Sequence, residues 1–322
     1  MLGVTTMAEG KWIAGLTPDL PVAAAARLVL STRFGVVRDY LPLAAEKPDD
    51  DIEYVHQLRV GTRRAGAAVR VFKTCLPRKL RAAVRESLRT IRQAAGDARD
   101  WDVFLLGLPV VRPLTTAAGK PAFDFLAGYA IGQRTAAQVQ LRQVAETAGP
   151  LFAEQSAALV DQAHEPRGDN PPATFGELAA SQFGELLQAL TEAVAANPTD
   201  PAALHQLRIL AKRVRYALEI FADCFPPVFK ERVYLAVEEV QELLGGIQDA
   251  TVGLTQLAAL RDRIKTRVPG EWSRLRKGFE GLMQSLRAKI PAGRKAFQKW
   301  RNEWAGLVEG LKLELVTATV TT

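Results

Sequence analysis

Two histidines head the stretches of this sequence that could do chemistry. His56 opens the run HQLRVGTRRAGAAVRVF and His205 opens HQLRILAKRVRYALEIF. In each, a histidine is followed at helical spacing by guanidinium or ammonium groups. Arg keeps its charge at every working pH and can grip two phosphate oxygens at once, whereas Lys acts as a point charge. His titrates near neutrality and donates a hydrogen bond even when neutral. On a helix advancing about 100° per residue, with His56 at zero, Arg59 falls near −60°, Arg63 near −20° and Arg70 near −40°. Arg64 lies to one side at about +80°, and Leu58, Ala65, Ala68, Val69 and Phe72 form the apolar face behind. The second run repeats the pattern with His205, Arg208, Lys212 and Arg215, and with Arg213 where the first has Arg64.

The following helix extends the cationic face in the first copy. Arg78, Arg81, Arg85, Arg89 and Arg92 share one side of it by the same count. In the second copy Lys230 matches Arg81, but Tyr234, Glu238 and Gln241 stand where the first has Arg85, Arg89 and Arg92. Like charges one turn apart destabilise a helix by a few tenths of a kcal/mol per pair, and Glu86 is the single acid between Arg78 and Arg92. A bound polyanion would offset that repulsion. Rows of cations roughly 5–6 Å apart suit a linear, repeating charge. A single nucleotide phosphate would instead call for a glycine-rich cradle, and neither G-x-x-x-x-G-K-[ST] nor a credible G-x-G-x-x-G is present.

The elements that must hold these residues are helices. Ala, Leu, Arg, Glu and Gln dominate, and apolar residues recur at three and four. The pattern predicts helices near 18–46, 52–75, 77–96, 99–108, 121–162, 174–196, 201–224, 227–245, 248–267, 272–290 and 292–311, and no strand. Pro77 and Pro226 are placed to start helices, Gly96 and Gly245 to end them, and Asp97 or Asp100 to cap the next. At a fixed offset of 149 residues, 13 of 48 positions are identical between 56–103 and 205–252, including Cys75 with Cys224 and Gly96 with Gly245. The chain therefore reads as two copies of one helical unit, joined near the turn-rich segment 165–173. The expected organisation is an N-terminal tail 1–14, a first repeat 15–165, a second repeat 172–312 and a C-terminal tail 313–322.

The net charge of +7 is not evenly spread. Residues 52–100 carry +8 and residues 261–301 carry +10, against an acidic remainder. Other chemistries find little support. Three histidines and two cysteines, with no CxxC or HExxH, make a poor metal set. Cys75 and Cys224 read as buried free thiols, His164 as a surface residue, and Asp100, Asp102 and Asp249 as caps or as partners for Arg. No nucleophile–base set for catalysis presents itself, so the chain reads as a non-enzyme without a cofactor. The N-terminal sequence lacks the order of a signal peptide, and no run suits a membrane span, so the expected location is the cytoplasm.

The paired His-x-x-Arg-x-x-x-(Arg/Lys)-Arg helices, with GDARDWDV and GGIQDATV downstream, resemble the CHAD family, the conserved-histidine α-helical domain. The resemblance spans roughly 15–312. It implies an all-α fold of two antiparallel four-helix bundles related by internal pseudo-twofold symmetry. It further implies a basic central groove or pore that binds inorganic polyphosphate, and with it goes an expected association with polyphosphate granules. Many relatives carry a fused triphosphatase-type domain; this sequence shows no glutamate/lysine-rich strand pattern for one, so a stand-alone copy is expected. Carried over by position, His56, Arg59, Arg63 and Arg64 would contact phosphate, as would His205, Arg208, Lys212 and Arg213, with Arg81 and Lys230 early in the next helix. Gly66 against Arg215, and Arg99 against Gln248, make the copies unequal. Two alternatives stay open: a nucleic-acid-binding protein using the same basic surface, and an accessory protein of a phosphoryl hydrolase.

Overall fold

The computed structural model describes residues 10–320, with side chains to residue 311. Eight α-helices account for most of the described residues: α1 (Val22–Glu46), α2 (Glu53–Val71), α3 (Arg78–Gly107), α4 (Lys120–Asp161), α5 (Phe175–Ala195), α6 (Pro201–Phe221), α7 (Tyr234–Arg267) and α8 (Pro269–Val320). The expectation of an all-α chain holds: among the described residues the one β feature is an isolated bridge between Pro21 and Thr174. The chain divides into two compact units, Met1–Ala179 and Ala180–Thr322. The tail expected over 1–14 falls outside the described residues for 1–9, and the last two residues of the tail expected over 313–322 do so as well.

In the first unit α1 packs on α2 and α4, and α3 packs on α2 and α4. Val29, Leu30, Phe34, Leu58, Ala65, Val69, Val84, Ile91, Leu126 and Phe152 are buried, which is the face the 3.6-residue period assigned to the core. Gly61 sets the approach of α1 and α2, since a Cβ there would lie 2.9 Å from Val36 Cγ1. Residues 10–16 also belong to this unit. Ile13 and Leu16 are buried, and the buried Arg33 of α1 donates to the carbonyls of Gly10 (2.7 Å) and Lys11 (2.9 Å). The turn-rich segment expected to link the repeats is tied to the same unit. The Glu165 carboxylate accepts from the Ala23 amide at the start of α1, and the Phe175 amide donates to the Leu20 carbonyl at 2.8 Å.

In the second unit α6 packs on α7 and α7 on α8. Phe183 of α5 meets Phe225 and Phe229 at ring distances of 5.1 and 5.9 Å. Along α8, Phe297, Trp300 and Trp304 stack in sequence, and the Trp300 indole donates to the Ala236 carbonyl at 2.8 Å.

Three expected helix boundaries are absent. Gly96 and Gly245 do not end helices, because α3 and α7 run through them. The segments 272–290 and 292–311 form one helix, α8, with Pro291 inside it. Proline removes one backbone bond, but the buried aromatic row beyond Pro291 and the close approach at Gly293 hold α8 to its neighbour. The helix starts are as the sequence implies. Pro77 and Pro226 each stand just before helical backbone, and the Asp200 carboxylate caps α6 by accepting from the Ala203 amide at 2.9 Å.

Candidate anion-binding site

The glycines misread as helix ends explain how the motif arginines are seated. Arg59 of α2 lies across α3 at Gly96, where a Cβ would sit 3.9 Å from its Nε. Arg208 of α6 lies across α7 at Gly245, where a Cβ would sit 3.6 Å from its Nη2. Asp100 is one turn beyond Gly96 on the same face and receives the Arg59 guanidinium at 2.6 Å. The Gly-x-x-x-Asp element is thus a seat for an arginine on the neighbouring helix, not a turn. Asp100 and Asp102 are both partners for Arg across helices, Asp102 pairing with Arg134 at 2.6 Å.

In the first copy His56 and Arg59 are half-buried beside Arg99, which comes within 3.8 Å of Glu53. Burial, followed by the field of Arg99, depresses the His56 pKa. Glu53 works against this, and Arg59 and Arg63 add to it. The imidazole is therefore a neutral donor held among cations. Arg63 and Arg64 are half-buried on the same helix, and Arg64 reaches the Gly10 carbonyl at 3.4 Å. On α3, Arg78, Arg85, Arg89 and Arg92 are exposed and Arg81 is half-buried. Arg81 donates to the Lys73 carbonyl, and Arg89 is chelated by Glu86 at 2.7 and 3.0 Å. No carboxylate lies within ion-pair distance of Arg78, Arg85 or Arg92 among the described residues.

The second copy is built differently. His205 and Arg213 are exposed, and Arg208, Lys212 and Lys230 are half-buried, with Lys230 3.6 Å from Asp223. Arg215, expected on the cationic face, faces inward. Its Nε lies 3.6 Å from Glu219 and its Nη1 3.6 Å from Glu238, and the Tyr234 hydroxyl donates to Glu219 at 2.9 Å. Burial opposes the Arg215 charge, but Tyr216, Tyr234, Glu219 and Glu238 outweigh it and raise its pKa. Burial likewise drives the Tyr234 pKa up. At the 149-residue offset these four network residues replace Gly66, Arg70, Arg85 and Arg89. An open cationic face has become a self-neutralised core. Sequence reasoning saw the substitutions at 234 and 238 but missed Glu219, whose signal was a charge reversal against Arg70.

Both cysteines are free, and burial pushes each thiol up to about 11, so neither is a thiolate near neutral pH. Among the described residues no cluster of three or more His, Cys, Asp or Glu could hold a metal ion.

An all-helical chain with two seated His–Arg motifs is the pattern of one known class. The CHAD domain family matches residues 29–258, and the chain belongs to that family. Among solved structures, the CHAD domain from the plant Ricinus communis is 22% identical with a TM-score of 0.67. That alignment covers 91% of this chain and 95% of the plant one. PptA from Streptomyces chartreusis is 19% identical with a TM-score of 0.67, over 88% of this chain and 99% of that one. At these identities the likeness shows the fold. No curated protein matches the sequence.

Proposed function

We propose that the protein binds inorganic polyphosphate without cleaving it, through the basic faces that the two copies of the repeat present. The carrying observation is the outer face of α3, where Arg78, Arg85 and Arg92 stand exposed with no acidic partner. Such a row gains from a repeating anion and loses from its own company. His56, Arg59, Arg63 and Arg64 adjoin it on α2, and His205, Arg208, Lys212, Arg213 and Lys230 serve the second copy. Arg215 acts there as a positioning residue held by Glu219 and Glu238. Family membership supports the choice of polyphosphate.

Nucleic acid is the competing ligand, because any polybasic surface attracts phosphate backbones. Base stacking needs exposed aromatic rings. None lies between Arg78 and Arg92, and Tyr216 and Tyr234 of the second copy are buried. The reading goes with a cytoplasmic protein that associates with polyphosphate granules. Among the described residues no helix is long and apolar enough to cross a membrane. The test is competition at fixed salt. Long-chain polyphosphate should displace labelled single-stranded or duplex nucleic acid at equal phosphate concentration, and the reverse result would overturn the reading. Release of orthophosphate over hours with Mg²⁺ present would overturn the non-catalytic part.

A further inference from the structure

We infer that the second copy contains a discrete pocket for a single phosphoryl group, closed by Arg294 of α8 against His205 and Arg208 of α6. Arg294 lies outside the segment matched by the family, which ends at residue 258. The inference deepens the polyphosphate reading and takes from it the idea of a chain end as the natural source of that group.

Three helices converge on the pocket. His205 and Arg208 come from one turn of α6, Gln248 and Thr251 from one turn of α7, and Arg294 from α8, above an aliphatic floor that includes Ile247. The cleft is small, with a cavity volume of about 30 Å³, on the scale of a small oxyanion. Four of the five polar residues offer a donor to the cleft, the Thr251 hydroxyl being spent on the Ile247 carbonyl at 2.8 Å, and no carboxylate lines it. Such a set matches an anion with several acceptor oxygens.

Two features show that the two guanidinium groups are uncommitted. Arg208 Nε is buried with no hydrogen-bond partner, and no carboxylate comes within ion-pair distance of that guanidinium among the described residues. Three acids of α8 are engaged elsewhere: Glu271 with Arg274, Glu280 with Arg276 and Glu303 with Lys299. Arg294 is left without an ionic partner. Gly293 brings it to the rim, since a Cβ at that position would lie 2.7 Å from Ile247 Cγ1.

The same place in the first copy is already filled by the chain's own charges. Arg59 is paired with Asp100 at 2.6 Å, Asp102 stands at the position of Thr251 and is paired with Arg134 at 2.6 Å, and Arg99 replaces Gln248. Asp249 stands at the position of Asp100, yet no ion pair joins it to Arg208 among the described residues, so the second copy offers its motif arginine to a compact ligand.

Calorimetric titration of the full chain at fixed salt tests this, with pyrophosphate, orthophosphate and long-chain polyphosphate as probes. Pyrophosphate should bind saturably at one per chain. Arg294→Gln should weaken pyrophosphate about tenfold or more while changing long-chain polyphosphate less than about threefold. Replacing Arg78, Arg85 and Arg92 together with Gln should do the opposite. Gln248→Glu sets a carboxylate in the cleft and should abolish pyrophosphate binding in a chain that stays folded. Orthophosphate binding as tightly as pyrophosphate would identify free phosphate as the source, and weaker orthophosphate binding would identify a chain end; either keeps the pocket. No saturable pyrophosphate binding, or equal losses for both probes in the Arg294 and α3 variants, would overturn it. Saturable pyrophosphate binding without long-chain binding would sink the polyphosphate reading and leave the pocket standing.

Discussion

Replacing Arg215 with Met should unsettle the second unit and not erase an anion contact. The Arg215 side chain is 19% exposed and the Glu219 side chain 1%, with 3.6 Å between them and another 3.6 Å from Arg215 to Glu238. At that distance and an effective dielectric constant of about 20, each contact is worth roughly 4–5 kcal/mol before desolvation. Desolvating both charges cancels much of this, so an apolar pair in the same space would be nearly as stable. Removing the arginine alone recovers none of that cost. Glu219 stays buried as a carboxylate that has lost its guanidinium partner, with the Tyr234 hydroxyl still donating to it. The expected loss for Arg215→Met is about 3 kcal/mol at neutral pH. Arg215→Met combined with Glu219→Met should return to within about 1 kcal/mol of the parent, a coupling of about 2 kcal/mol or more. Urea denaturation of the four proteins of the cycle measures this, with polyphosphate affinity measured on each folded form. A single-variant loss below about 1 kcal/mol would refute the network argument. A more than tenfold drop in affinity with stability intact would put Arg215 on the ligand, where the sequence pattern had placed it.

Exchanging Arg78, Arg85 and Arg92 for Gln should lower the slope of log affinity against log salt by about 2, taking about 0.7 per phosphate contact on a flexible strand; an unchanged slope would move the polyanion off α3. Asp100→Asn frees Arg59 from a carboxylate that is 66% exposed, and polyphosphate affinity should rise about two- to fivefold, since such a pair is worth less than about 1 kcal/mol; a fall would mean that Asp100 holds Arg59 in its working pose. His56 has a depressed pKa in the folded chain, so below about pH 6.5 the unfolded chain takes up a proton that the folded one rejects. Stability should therefore decline as pH drops through 6.5 toward the folded value and be unaffected above it. Polyphosphate reverses the local field, so an imidazole NMR titration should show the His56 pKa rising on binding, with tighter binding at pH 6 than at pH 8. Gly293→Ala forces a Cβ to within 2.7 Å of Ile247 Cγ1 and should cost about 1–3 kcal/mol by thermal melting.

The helices and the duplicated motif were legible because both are written locally. A 3.6-residue apolar period shows which face of α2 or α6 is core without knowledge of what covers it. A repeat at fixed offset needs only the sequence itself. The misreadings share one cause. Glycine was taken at Gly96 and Gly245 for its tendency to end helices, but there its missing Cβ makes room for an arginine on another helix. The local pattern breaks at 291 between segments 272–290 and 292–311, but packing that no local rule can see carries α8 across Pro291. Charge pairing is non-local in the same way. The Arg59–Asp100 and Arg134–Asp102 pairs each span two helices.

That non-locality explains why two copies of one motif present different chemistry. The first copy keeps its outer stripe open on α3 and ties Arg59 to Asp100. The second folds acids into the stripe, through Glu219 and Glu238, and leaves Arg208 without a carboxylate partner. Neither change is large in sequence, yet each reverses which cations face an acid and which stay available. If both copies had kept the first arrangement, each would offer a track and neither a pocket. If both had kept the second, the stripe that best accounts for binding a long chain would be gone. The divergence is therefore where selectivity between a long polyanion and a short one should be sought, at residues 66, 70, 85 and 89 and at their counterparts 215, 219, 234 and 238. Moving Glu219 to Arg, the identity held by its counterpart Arg70, should break the Arg215 network before it adds any phosphate contact, because a second guanidinium would then face Arg215 in a buried site.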